Sequence, residues 1–124
     1  MSGRADRGRI SVGRRGEEAA CAYLAERGYR ILDRNWRCRL GEIDIVAEQG
    51  GIIVFVEVRT RTGSRFGTGA ESVDQRKQRR LRAVSAAYLA RHGWSMREVR
   101  FDVIAIEADP AAETLVVEHI AGAF

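Results

Sequence analysis

Four charged residues, Glu42, Asp44, Glu57 and Arg59, interrupt two runs of β-branched residues that flank the pair Gly50-Gly51. A half-buried strand favours Val or Ile at such positions, so an acid there needs a partner. Gly50-Gly51 suits a two-residue primed turn, whose central residues need positive φ. Residues equidistant from that turn then face each other, Asp44 opposite Glu57 and Glu42 opposite Arg59. Strand side chains alternate, so these four share one side, while Ile43, Ile45, Val54, Val56 and Val58 line the other. Ile53 and Phe55 lie on the charged side nearer the turn, which confines the charges to its far end.

Two carboxylates directly opposed on a strand pair have Cβ atoms ~5 Å apart and repel each other. Two readings follow. In one, Arg59, across from Glu42 and diagonal to Asp44, neutralises the pair as a salt-bridge cluster. In the other, the pair holds a divalent cation, because Mg²⁺ takes oxygen ligands from one or two carboxylates, waters and substrate phosphates. Glu17 bears on the choice. It falls with Ala20, Cys21 and Leu24 on one face of a helix, where a carboxylate turned toward the core needs a partner. If it sits in the first helical turn, it complements the helix dipole instead.

A second constellation is basic. Arg76, Lys77, Arg79, Arg80 and Arg82 fall within seven residues, next to the S-x-x-Q capping box of Ser72 and Gln75. Cations at a helix N-terminus oppose the macrodipole and repel one another, so folding alone does not favour them there. Such a run is either a solvated face or a phosphate-binding one, since helix N-termini and arginine forks both attract phosphates.

The elements that must position these residues follow from periodicity. Residues 1–11 form an Arg/Gly-rich stretch read as a flexible basic arm. Val12–Arg27 has helical spacing closed by Gly28, Tyr29–Trp36 reads as a strand, and Gly41–Arg61 is the hairpin. Thr62–Ala70 carries three glycines and reads as a loop. A second helix runs from the capping box to about Arg91, with Leu81, Val84 and Tyr88 as its docking stripe. Strands at Phe101–Ile106 and Leu115–Ile120 complete the order α-β-β-β-α-β-β, an α/β domain with a mixed sheet and helices packed on it.

The 124 residues are 45% hydrophobic and 31% charged, enough for one domain with a real core, here 12–124. The longest purely apolar run is Ile52–Val56, far short of the ~20 residues of a membrane span. The N-terminal stretch lacks the apolar region of a secretory signal. Cys21 and Cys38 are two lone cysteines without metal-ligand spacing, which suits a reducing cytoplasm. The net charge of +4 leans toward a polyanionic partner. Lys77 is the one lysine, so the other 20 of the 21 Lys+Arg residues are arginine.

Glu17, the Asp44 of GEIDIVA and the Glu57-Val58-Arg59 of VFVEVRTR resemble the core of a PD-(D/E)xK nuclease. Their spacing, together with RFG at 65–67, VDQRKQRRL and RFDVIAI, resembles the YraN-like family of small bacterial proteins, which is similar to archaeal Holliday junction resolvases. The resemblance spans about Val12 to Phe124. It implies a restriction-endonuclease-like fold and a metal-dependent endonuclease acting on branched or structured DNA. Asp44 and Glu57, with the Val58 carbonyl, would hold Mg²⁺ or Mn²⁺, and Glu17 would contribute directly or through water. Arg59 stands where the nuclease pattern has Lys, and Arg stays protonated, so its role would be to orient water or stabilise charge on phosphate. Arg76, Lys77, Arg79 and Arg80 would contact DNA. Symmetric cutting of a junction implies a homodimer by analogy. The competing reading is a nucleic-acid-binding module that keeps the fold without catalysis. In a third reading the chain is an interaction protein whose charge serves solubility.

Overall fold

The structure is a computed structural model that describes residues 15–62, 73–109 and 114–124. The basic arm, the RFG stretch, Ser72 and Pro110 lie outside the described residues. Helix α1 (15–26) is followed by strands β1 (Arg30–Cys38), β2 (Gly41–Gln49) and β3 (Ile52–Thr62). Helix α2 (Gln75–Arg91) then precedes β4 (Val99–Asp109) and β5 (Thr114–Ile120). Among the described residues the strands form one sheet in the order β1-β2-β3-β4-β5. Only the β3–β4 pair is parallel. A parallel pair needs a crossover, and α2 lies in that connection. The expected α-β-β-β-α-β-β order and mixed sheet are therefore observed, and the fold is restriction-endonuclease-like.

Each face of the sheet carries its own core. Ala20 and Leu24 of α1 pack on Ile45, Ala47, Val54, Val56, Ile104 and Ile106. Leu81, Val84, Tyr88 and Leu89 of α2 pack on Ile43, Val46, Ile53, Phe55, Phe101 and Val103. The expected docking stripe of α2 is thus its buried face. Gly28, at φ +87°, ends α1 as expected, with the Tyr29 amide donating to the Leu24 carbonyl and the Gly28 amide to Ala25.

Several expectations need correction. Helix α2 is capped by Asp74, whose side chain accepts a hydrogen bond from the Lys77 amide at 2.9 Å, so Gln75 is the first helical residue and not the partner of a Ser72 cap. Strand β1 begins one residue later and ends two residues later than its apolar pattern suggests, because pairing with β2 continues to Cys38↔Gly41. Strand β4 extends past Phe101–Ile106 at both ends along its parallel ladder with β3.

The hairpin register is as expected near the turn. Gly50 and Gly51 have φ of +56° and +82°, and pairing runs from Gln49↔Ile52 to Ile45↔Val56. Beyond that point the ladder stops. Asp44 and Glu57 are not ladder partners, and Glu42 is paired with Arg37 of β1 rather than with Arg59. The Asp44 carboxylate itself accepts the Val58 amide at 2.8 Å, taking the place of a strand–strand bond. Across from Asp44 on the other side, the β1–β2 ladder skips Asn35, which has φ +53°. With the ladder broken on both sides of Asp44, Ile43 and Ile45 enter opposite cores instead of sharing the side expected from strict alternation.

Candidate active site: a carboxylate cleft beside a basic helix

The break at Asp44 opens a cleft of about 340 Å³ between the β2–β3 hairpin and the start of α2. Gly41, Glu42, Asp44, Glu57, Val58, Lys77, Arg80 and Leu81 line it. Gly41 permits the close approach of β2 to α2. It has φ +146°, and a Cβ there would meet Val84 Cγ2 at 3.1 Å. On the other side of β3, a Cβ at Gly16 would overlap the Thr60 hydroxyl, so α1 lies hard against the end of the strand that carries Glu57 and Arg59.

Asp44 and Glu57 meet electrostatically even though they are not ladder partners. Burial raises the Asp44 carboxyl, and the charge of Glu57 raises it further, to about 7. Glu17 and Glu42 push in the same direction, and only the Val58 amide opposes them. Asp44 is thus a partly buried carboxylate among three others, with one neutral donor to hold its charge. Such a site is stabilised by an added cation. Both main-chain polar groups of a strand residue point to the same neighbouring strand. The Val58 carbonyl therefore faces the β2 side, as its amide does. Two carboxylates and a carbonyl are hard oxygen donors of the kind Mg²⁺ and Mn²⁺ accept. Among the described residues there is no group of three or more His, Cys, Asp or Glu side chains set to hold a metal, so any cation here would complete its shell with the carbonyl, water and substrate.

Glu57 differs from Asp44 in having cations already at hand. Its Oε2 lies 2.7 Å from Lys77 Nζ and 3.3 Å from Arg59 Nη1. Arg59 therefore pairs with Glu57, not with Glu42 and Asp44 as the ion-pair reading expects. Glu42 is bound instead by Arg37, Nε to Oε2 at 3.1 Å. Glu17 accepts a hydrogen bond from Asn35 Nδ2 at 3.1 Å, which ties α1 to the irregular residue opposite Asp44. Asn35 had no signal in the strand pattern.

The basic run divides. Arg76, Arg79 and Arg80 are exposed along α2, as a docking face requires. Lys77 turns inward to Glu57. Arg82 lies over the rings of Phe101 and Phe124, at 4.9 and 5.6 Å, and serves packing. Cys21 and Cys38 are free thiols, and burial pushes the Cys21 thiol up. No helix among the described residues is long and apolar enough to cross a membrane.

This chain belongs to the uncharacterised protein family UPF0102, whose model matches residues 16–106, the stretch from the start of α1 into β4. The YraN-like membership expected from the motifs is thereby shown. A UPF0102 protein of Moorella thermoacetica is 57% identical over 112 residues, covering 90% of this chain and 93% of the relative. One from Frankia alni is 48% identical over 118 residues, 95% and 98% of the two chains. One from Symbiobacterium thermophilum is 52% identical over 99 residues, 80% and 84%.

Proposed function

We propose that the protein is a metal-dependent endonuclease that hydrolyses phosphodiester bonds in branched or structured DNA. The observation that carries this reading is the Asp44–Glu57 cleft. It holds a carboxylate destabilised by burial and by other carboxylates, a main-chain carbonyl on the same side, and a basic helix at its rim. Asp44, Glu57 and the Val58 carbonyl would hold Mg²⁺ or Mn²⁺. Such an ion, when bound, lowers the pKa of a coordinated water and stabilises charge on the phosphoryl oxygens. The protein's own residues do the rest. Arg76, Arg79 and Arg80 bind backbone phosphates beside the cleft, and that contact is independent of base sequence. The Arg59 guanidinium stabilises negative charge as it develops on the phosphate. Glu17, fixed by Asn35, keeps a negative potential behind Asp44 and orients water. The partner is DNA, and a homodimer fits symmetric cutting of a junction. Two free cysteines fit a reducing, cytoplasmic compartment.

One observation favours a second reading, a nucleic-acid-binding module without catalysis. Glu57 pairs with two cations of the protein itself, Lys77 and Arg59. A cleavage assay on four-way junction, flap, duplex and single-stranded DNA, with Mg²⁺, Mn²⁺ or chelator, separates the two. Metal-dependent cutting of the branched substrates supports the enzyme. Salt-dependent binding of DNA with no cutting in any metal supports the module.

A further inference from the structure

Lys77 stands apart from the cations around it. It is the one lysine in a chain that uses arginine at the other 20 positions. Its neighbours Arg76, Arg79 and Arg80 are exposed, Arg80 at the edge of the cleft, whereas the Lys77 side chain is 29% exposed and reaches into the cleft to Glu57. Its ammonium lies 2.7 Å from a Glu57 oxygen, and the Glu57 side chain is itself only 10% exposed. The backbone fixes this placement, because the Asp74 cap holds the Lys77 amide and sets the first turn of α2 against the hairpin. Lysine and arginine are not equivalent in such a place. An ammonium is a compact point charge with three donors that can turn freely, whereas a guanidinium is a planar fork with its donors fixed in one plane.

We infer that Lys77 is a catalytic residue of the carboxylate cleft, a charge-stabilising ammonium held on Glu57, and not part of the DNA-docking face of α2. The role rests on the nuclease reading given above. One N–H of the ammonium is spent on Glu57, which leaves two donors for a water or a phosphoryl oxygen of DNA bound in the cleft. In the hydrolysis the water oxygen bonds to phosphorus and the bond from phosphorus to the leaving sugar oxygen breaks. The water gives its proton to solvent and the leaving oxygen takes one from solvent. Lys77 transfers no proton. It stabilises the negative charge that gathers on the phosphoryl oxygens, a contribution that removal of one such donor typically reveals as about a hundredfold loss of rate.

A single lysine makes the test direct. Lysine-selective isotope labelling yields one side-chain ε-CH₂ signal, that of Lys77. Glu57→Gln is expected to shift this signal in metal-free protein without DNA, and Mg²⁺ is expected to move it in the wild type. Lys77→Gln is then compared with Arg79→Gln on a four-way junction. Lys77→Gln should keep the affinity and salt slope of junction binding, measured in Ca²⁺, and lower the single-turnover rate in Mn²⁺ about a hundredfold. Lys77→Arg should restore part of that rate. Arg79→Gln should weaken binding and flatten the salt slope. An unmoved lysine signal in Glu57→Gln overturns the proposal, as does a Lys77→Gln variant that loses affinity and salt slope as Arg79→Gln does. If wild-type protein cuts no DNA, the nuclease reading fails and the catalytic role with it, while the lysine signal and the salt slope still tell whether Lys77 belongs to the cleft.

Discussion

Two aspartates, Asp44 on β2 and Asp102 on β4, are withdrawn from water in opposite ways. Asp102 is fully buried and fully answered. Arg100 donates to both its oxygens at 2.8 Å, His119 Nε2 lies 2.7 Å away, and the Gly122 amide donates at 3.0 Å. Burial pushes its carboxyl up, but the Arg100, Gly122 and His119 hydrogen bonds outweigh it and hold the group below the usual carboxylate range. Arg100 also reaches the Tyr29 hydroxyl, and His119 sits edge-on to Tyr23 and Tyr29, so the network ties β4, β5 and the C-terminal turn to the α1 side. Asp44 has one amide and three acidic neighbours. A buried charge whose partners satisfy it is held without an unmet cost and is destabilising to disrupt, whereas one left short of partners is held at a cost that a bound cation can relieve. Asp102 is structural. Asp44 is the one the proposed metal site uses.

The comparison breaks most sharply by mutation of the satisfied member. Asp102→Asn leaves the half-buried Arg100 beside a neutral amide, and it should destabilise the fold by about 3 kcal/mol in urea or thermal unfolding. A loss of a few tenths would make Asp102 no different from a surface acid. Asp44→Asn should act in the opposite direction in metal-free protein. Asp44 has a folded-state pKa above its unfolded one, so its charge costs stability as pH rises from about 4 to about 7, and the full cost is present above that window. Asn keeps an acceptor for the Val58 amide and removes the charge, so near pH 8 the variant should be more stable by on the order of 1–3 kcal/mol. Near pH 4 the two proteins should unfold alike. The lowered pKa of Asp102 gives the reverse slope: its contribution is present above its unfolded value near 4 and is lost as pH falls through the folded one.

Smaller effects sharpen the picture at the rim of the cleft. Replacing Arg76, Arg79 and Arg80 together with Gln should weaken DNA binding equally for all sequences and reduce the salt slope by about 3. An unchanged slope would place DNA elsewhere. Arg59→Lys should lower the cleavage rate at saturating Mn²⁺, because a compact ammonium does not reproduce the planar guanidinium, which keeps donors beyond the one 3.3 Å from Glu57 for a phosphate. Equal rates would remove Arg59 from the reaction. Gly41→Ala should cost about 1 kcal/mol, set by its positive φ and the 3.1 Å approach to Val84.

Much of this architecture was legible in the residues. Periodicity located both helices, and Gly50-Gly51 set the hairpin register because a primed turn leaves little choice. Type and position marked Asp44 and Glu57, since acids in a β-branched run are conspicuous. The pairing beyond Ile45↔Val56 was not legible. It depends on a side chain, Asp44, replacing a backbone acceptor, and on Asn35 leaving the ladder, and neither event has a periodic signature. The inward turn of Lys77 was hidden by the arginines around it, although its being the one lysine was a signal. Asp102 and His119 were invisible as a pair because β4 and β5 bring them together across the connection between two strands.

Divalent metal binding distinguishes the two aspartates. Isothermal calorimetry with Mn²⁺ near pH 8, on wild type, Asp44→Asn and Asp102→Asn, asks which aspartate serves a cation. Wild type should bind one ion per chain. Asp44→Asn should lose that binding while remaining folded, and any folded fraction of Asp102→Asn should retain it. Wild-type protein that binds no Mn²⁺ or Mg²⁺, with or without DNA, would contradict the account, and so would an Asp44→Asn variant that binds as tightly as wild type.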